Sequence, residues 1–93
     1  MALLRPCATS AGFTATPEAP RKVDMARLRE SLKGVGYAIV VDARIILVVR
    51  APGPAPVESS LYDTGRVLLK TTDRDAAERE YATLEPHLEQ ACR

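Results

Sequence analysis

Few residues in this 93-residue chain have the type and spacing that chemistry requires. His87 is the single histidine, stands beside Pro86, and has no serine or cysteine placed locally for it to activate. An activated nucleophile needs a base and a group that orients the base, and neither partner is placed locally. Cys7 and Cys92 lie one in each terminal segment. With one histidine they fall short of the four ligands in paired spacings that hold zinc. They also lack the close spacings of a secreted disulfide framework, which points to a reduced, cytoplasmic chain. Gly34-Val35-Gly36 leads into a strand instead of opening a helix, so it does not read as a phosphate loop. The acidic pairs Asp73/Asp75 and Glu78/Glu80 diverge around a helix at i, i+2 and cannot share a substrate. Ser59-Ser60 lies mid-strand. The expectation is a non-enzymatic protein with no metal and no cofactor.

What remains is a set of cations at regular positions. Arg44 and Arg50 bracket one β-branched run, and Arg66 and Lys70 bracket another. The net charge of +1 speaks against a general nucleic-acid coat, although the first fifty residues carry eight basic against four acidic side chains. No apolar run approaches the roughly 20 residues of a membrane-spanning helix, so no membrane partner is expected.

The elements that position these cations follow from periodicity and punctuation. Residues 24–33 predict a short amphipathic helix with Met25, Leu28 and Leu32 on one face, Asp24 as its cap and Gly34 as its left-handed end. Residues 36–42 and 44–50 predict a first hairpin, rich in β-branched residues, with a turn that lacks glycine and asparagine. The proline-rich 51–56 excludes a central strand and reads as a connection. Residues 57–62 and 66–71 predict a second hairpin, reversed at Asp63-Thr64-Gly65. A longer helix starts at Thr72 or Asp73 and carries Ala77, Tyr81, Leu84, Leu88 and Ala91 as one apolar stripe, with a kink or break expected ahead of Pro86.

The fold class is therefore α+β, in the order α-β-β-β-β-α, a four-stranded antiparallel sheet with both helices on one face. Residues 1–22 have three prolines and no periodicity, and read as a disordered tail ahead of a single domain at 23–93. Alternation sends Ile39, Val41, Ile45, Leu47, Val49, Val57, Leu61, Val67 and Leu69 to the helix-covered core. It sends Val40, Arg44, Ile46, Val48, Arg50, Glu58, Ser60, Tyr62, Arg66, Leu68 and Lys70 to the open face, an apolar centre with a cationic margin. Of these, Arg44, Ile46, Val48, Arg50, Tyr62, Arg66, Leu68 and Lys70 are the candidate binding residues.

Three readings fit that face. Its basic side chains can simply cover half-buried apolar neighbours. It can be the interface of a homodimer or a protein partner, because contiguous apolar patches mark binding. Or it can take nucleic acid, with the cations on phosphates. The low basic count ranks the protein interface first and nucleic acid second.

The run Tyr62-Asp63-Thr64-Gly65-Arg66-Val67-Leu68-Leu69, followed by a capped helix, resembles the hairpin-then-helix of one half-repeat of the TATA-box-binding-protein fold. The N-terminal domain of type III ribonuclease H shares that shape. The likeness covers residues 57–88 and rests on Gly65, Arg66, the alternating Val67 and Leu69, and the polar break before Asp73. Thr72 stands where that family often has glycine. In those families the open sheet face binds nucleic acid, so the resemblance implies Arg66 and Lys70 as contacts. It also implies that one half-repeat must dimerise to complete a saddle.

Overall fold

A computed structural model of the chain describes residues 4–6, 12–17, 19, 21–54 and 56–92. Its elements are β1 (Leu4–Pro6), β2 (Phe13–Ala15), α1 (Met25–Gly34), β3 (Ala38–Asp42), β4 (Ile46–Arg50), β5 (Glu58–Tyr62), β6 (Val67–Lys70) and α2 (Arg74–Ala91). All strand pairs are antiparallel, in the spatial order β1-β2-β6-β5-β4-β3. The α+β class and the two expected hairpins are present. The element order is β-β-α-β-β-β-β-α, however, and the sheet is larger than four strands. Strands β2 to β6 form its body, and the three-residue β1 extends one edge.

The added strands come from the segment read as a tail. Phe13, Thr14 and Ala15 pair with Leu69, Leu68 and Val67 of β6. Ala15 is buried in the core and Phe13 packs against it. A Cβ on Gly12 would stand 2.8 Å from the Leu69 carbonyl oxygen, so only glycine lets the chain enter this close to β6. Three residues are too few to show a period of two. The strand is held by backbone hydrogen bonds that satisfy the edge of β6, and these leave no mark on side-chain pattern.

Helix α1 is capped as its sequence predicts, with the Asp24 side chain accepting from the Arg27 N–H at 3.2 Å. Its end differs. The positive φ falls at Gly36 (96°), not at Gly34, which is the last helical residue. The Tyr37 N–H bonds the Leu32 carbonyl and the Gly36 N–H bonds the Lys33 carbonyl, both at 3.1 Å. This double closure is the Schellman pattern, completed by the buried pair Tyr37 and Leu32.

The first hairpin carries a correction. Ile39 pairs with Val49, but Val41 pairs with Val48, so Val40 is an extra residue in a β-bulge. The bulge turns Val41 to the open face, where it is 44% exposed, and leaves Asp42 opposite Leu47. Ile45 lies in the β3–β4 connection and is 59% exposed. Val41 and Ile45 are thus not core residues: alternation counted through a bulge inverts the face of what lies beyond it, which moves Val41, and β4 starts only at Ile46, which leaves Ile45 in the connection.

The second hairpin matches its prediction. Gly65 has φ 90°, and Tyr62 and Arg66 close the turn through the Tyr62 N–H to Arg66 carbonyl bond of 2.9 Å. Asp73 caps α2 by accepting from the Asp75 and Ala76 N–H groups. All five residues of the predicted α2 stripe are buried. The helix runs through Pro86 to Ala91 as one element instead of breaking ahead of it. The carbonyl that Pro86 leaves without a donor belongs to Ala82, and both residues are exposed, so water can serve it.

The core is a single cluster between one sheet face and both helices, with Leu28 and Leu32 from α1, Leu84 and Leu88 from α2, and Leu47, Val49, Leu61, Val67 and Leu69 from the strands. Ser59 sits among them in register between Val49 and Leu69, fully buried, its Oγ without a partner among the described residues. A buried hydroxyl with no hydrogen bond carries its full desolvation cost. Ser59→Ala should therefore raise stability by about 1 kcal/mol, read as a later urea midpoint with unchanged slope. Among the described residues no helix is long and apolar enough to cross a membrane.

Candidate functional site

With both helices on one side, the open face is read off the strand registers in three rows. One row crosses Ala38, Arg50, Glu58 and Lys70, the next Val41, Val48, Ser60, Leu68 and Thr14, and the third begins at Ile46 and Tyr62. The turn hydrogen bond places Arg66 beside Tyr62 in that third row. Seven of the eight expected site residues, all but Arg44, share this face.

Their exposure divides them. Val48 is 8% exposed and Ser60 3%, so the middle of the face is already shielded within the single chain. Ile46, Tyr62 and Leu68 are half-buried, and Arg50, Arg66 and Lys70 are exposed around them. The shielding matches long basic side chains laid over apolar neighbours. The apolar centre is consequently smaller than its composition suggests.

The cations are not equivalent. Glu58 takes Lys70 at 3.1 Å and Arg50 at 3.5 Å, a ladder of alternating sign across three strands. Its carboxyl is held below the usual range, first by the Lys70 hydrogen bond. Arg66 instead lies over the Tyr62 ring, 5.7 Å from its centroid, a cation–π arrangement with no acid paired to it among the described residues. Arg44 is elsewhere. It lies in the β3–β4 connection and lines a groove with Arg21, Lys22, Asp24, Asp42 and Asp63 beside the start of α1. The predicted bracket of Arg44 and Arg50 assumed that residues 44–50 form one strand; β4 starts at Ile46, which takes Arg44 off the face.

Two groupings on the helix side were not legible. Ser31 Oγ and His87 Nδ1 share a hydrogen bond of 2.6 Å between α1 and α2. The Tyr37 hydroxyl donates to Glu80. Burial pushes the Glu80 carboxyl up, against the opposing hydrogen bond from Tyr37, and burial raises the Tyr37 phenol as well. Ser31 and His87 are 56 positions apart, so only packing of the helices reveals the pair. Among the described residues no third group orients the other imidazole nitrogen, as a nucleophile's base requires. Cys92 is a free, half-buried thiol, and Cys7 lies outside the described residues. Among the described residues no group of three or more His, Cys, Asp or Glu could hold a metal ion.

Comparison with protein-family models, curated proteins and solved structures finds no match to this chain.

Proposed function

We propose that this chain is a small, non-enzymatic interaction domain that self-associates through its open sheet face. The observation that carries the reading is the one-sided placement of the helices. They leave Val41, Ile46, Tyr62 and Leu68 incompletely covered on the opposite face.

The charge pattern favours a protein surface. Glu58 already neutralises part of the Arg50/Lys70 margin, and a ladder of both signs complements a second copy of itself better than it complements a uniformly anionic phosphate backbone. The resemblance to a half-repeat of the TATA-box-binding-protein fold supports the same architecture, with dimerisation as its consequence.

Size limits the strength of association. Six strands about 4.8 Å apart and up to five residues long cover roughly 500 Å² in plan. Two such faces bury on the order of 1,000 Å², at the low end of specific interfaces. The expected dimer is reversible and concentration-dependent.

Sedimentation equilibrium over a wide concentration range tests this. The expected result is a monomer–dimer equilibrium that Ile46→Asp with Leu68→Asp shifts wholly to monomer while the circular-dichroism spectrum is unchanged. A native chain that stays monomeric at every concentration sinks the reading. A gel-shift titration at about 50 and 200 mM salt covers nucleic acid, where phosphate contacts give a steep loss of affinity with salt. Binding of that kind, abolished by Arg66→Glu with Lys70→Glu, would replace self-association with nucleic-acid recognition.

A further inference from the structure

On the helix side, away from the open face, Ala51 and Pro52 face α2 across an open cleft of about 340 Å³. Val35, Ala51 and Pro52 supply apolar wall, and Tyr37, Glu80 and Thr83 supply polar groups. A smaller space of about 160 Å³ adjoins it along α2 and shares Ala51, Pro52, Glu80 and Thr83, with Arg79 at its margin. Pockets of this general size, mostly apolar with a few converging polar groups, take small molecules.

The polar groups are unequal. Glu80 is half-buried and accepts from the Tyr37 hydroxyl, yet none of the described ion pairs reaches it. The other glutamates of α2 do not share this position. Glu78 pairs with Arg74 and Glu85 with Arg21, whereas Glu89 is simply exposed. The Thr83 hydroxyl donates to the Arg79 carbonyl at 3.0 Å, so it offers lone pairs to the cleft instead of a proton. Glu80 and Thr83, three residues apart, stand on one face of the helix. A partly desolvated carboxylate and a hydroxyl acceptor make a demand for donors and positive charge, and the apolar wall asks for hydrocarbon beside it. A metal ion does not answer that demand, since one carboxylate supplies too few oxygens.

We propose that this cleft binds an organic ammonium, a primary amine on a short alkyl body, with the ammonium on Glu80 and Thr83 and the hydrocarbon against Val35 and Pro52. This site is independent of the open-face association.

The raised pKa of Glu80 gives the proposal a second signature. The carboxyl attracts an ammonium only when ionised, so affinity is present above its raised pKa and is lost as pH falls through it. Tyr37, Arg79 and His87 are the other titratable or charged groups on the cleft and its extension, and Arg29, Glu30, Lys33 and Asp42 surround the far side of Tyr37. Glu80→Gln keeps an acceptor for Tyr37 and removes the charge, which separates Glu80 from these neighbours.

The test is thermal unfolding of the full chain with n-butylammonium chloride, against n-butanol and against potassium chloride at equal ionic strength. At a tenfold excess over Kd the amine should raise Tm by roughly 5–10 °C, and neither control should. Glu80→Gln should weaken the amine's Kd at least tenfold and flatten its pH dependence, and Thr83→Val, at an exposed position, should weaken it several-fold. No amine-specific shift in the native chain, or an equal shift in Glu80→Gln, overturns the assignment. If Glu80→Gln does not fold, Thr83→Val and the native pH profile decide, and loss of neither affinity nor pH dependence overturns it as well.

Discussion

Leu61→Ala is expected to remove roughly 2–5 kcal/mol of stability, the range for truncating a large buried aliphatic side chain. Leu61 is fully buried in β5, in register between Leu47 of β4 and Val67 of β6, beneath both helices. Little nearby can collapse into the space. Backbone ladders on both sides pin the strand, and the facing leucines belong to helices that also contact each other. The loss matters because folded domains hold only about 5–15 kcal/mol in total, and small ones sit low in that range. For a chain of this size each kcal/mol moves Tm by about 4–8 °C, so a fall of roughly 10 °C or more is expected in a thermal scan. Leu68→Ala, on the other face of the adjacent strand and half-buried, is the control. It should cost much less stability and act on self-association instead. Equal losses at the two positions would mean that the core is not confined to the helix-covered face.

What the sequence disclosed and what it hid divide along one physical line. Features carried by local pattern were legible. The α2 stripe needs only a period of 3.6, and the Gly65 reversal needs only a residue that tolerates positive φ. Features that depend on what one segment meets elsewhere were not. The bulge at Val40 shows only in the register against β4, and it alone moved Val41 off the core. Strand β2 is three residues long and is specified by an unpaired edge more than fifty positions away. The open face was assembled correctly in outline, because alternation along β4, β5 and β6 is regular. Alternation along β5 puts Glu58 on that face but gives no sign of its role. The ladder joins residues from three strands, and only their registers show that one carboxylate serves two of the cations. The Tyr37–Glu80 contact was hidden for the same reason, being made between α2 and the segment that follows α1.

Gly65→Ala is expected to cost roughly 2–3 kcal/mol, more than an exposed turn residue ordinarily would, because two effects coincide. The first is conformational. At φ 90° a Cβ is strained, at about 1–2 kcal/mol for a left-handed residue. The second is contact. The new Cβ would stand 3.0 Å from Cδ of Arg21 and 3.3 Å from its Cβ and Cγ. Arg21 has little room to withdraw. Its backbone N–H is bonded to the Thr64 carbonyl at 3.2 Å, and its guanidinium holds Glu85 of α2 at 2.8 Å. The ion pair is partly buried, and Nη1 of Arg21 and Oε2 of Glu85 have no other partner among the described residues. Displacing Arg21 thus leaves Glu85 with less compensation for its lost water. Solvent reaches about a quarter of the Arg21 side chain and a fifth of the Glu85 side chain, which keeps the electrostatic share modest. A double-mutant cycle with Glu85→Gln separates the effects. Once Gly65→Ala has dislodged Arg21, removing the Glu85 charge should cost less than it does in the native chain, with a coupling of about 0.5 kcal/mol or more. Gly65→Asn supplies the complementary arm, since asparagine tolerates positive φ while its Cβ still meets Arg21. It should recover part of the strain and keep the coupling. Strictly additive losses in urea denaturation would show that the turn and α2 are not linked through Arg21, and that Gly65 serves the hairpin alone.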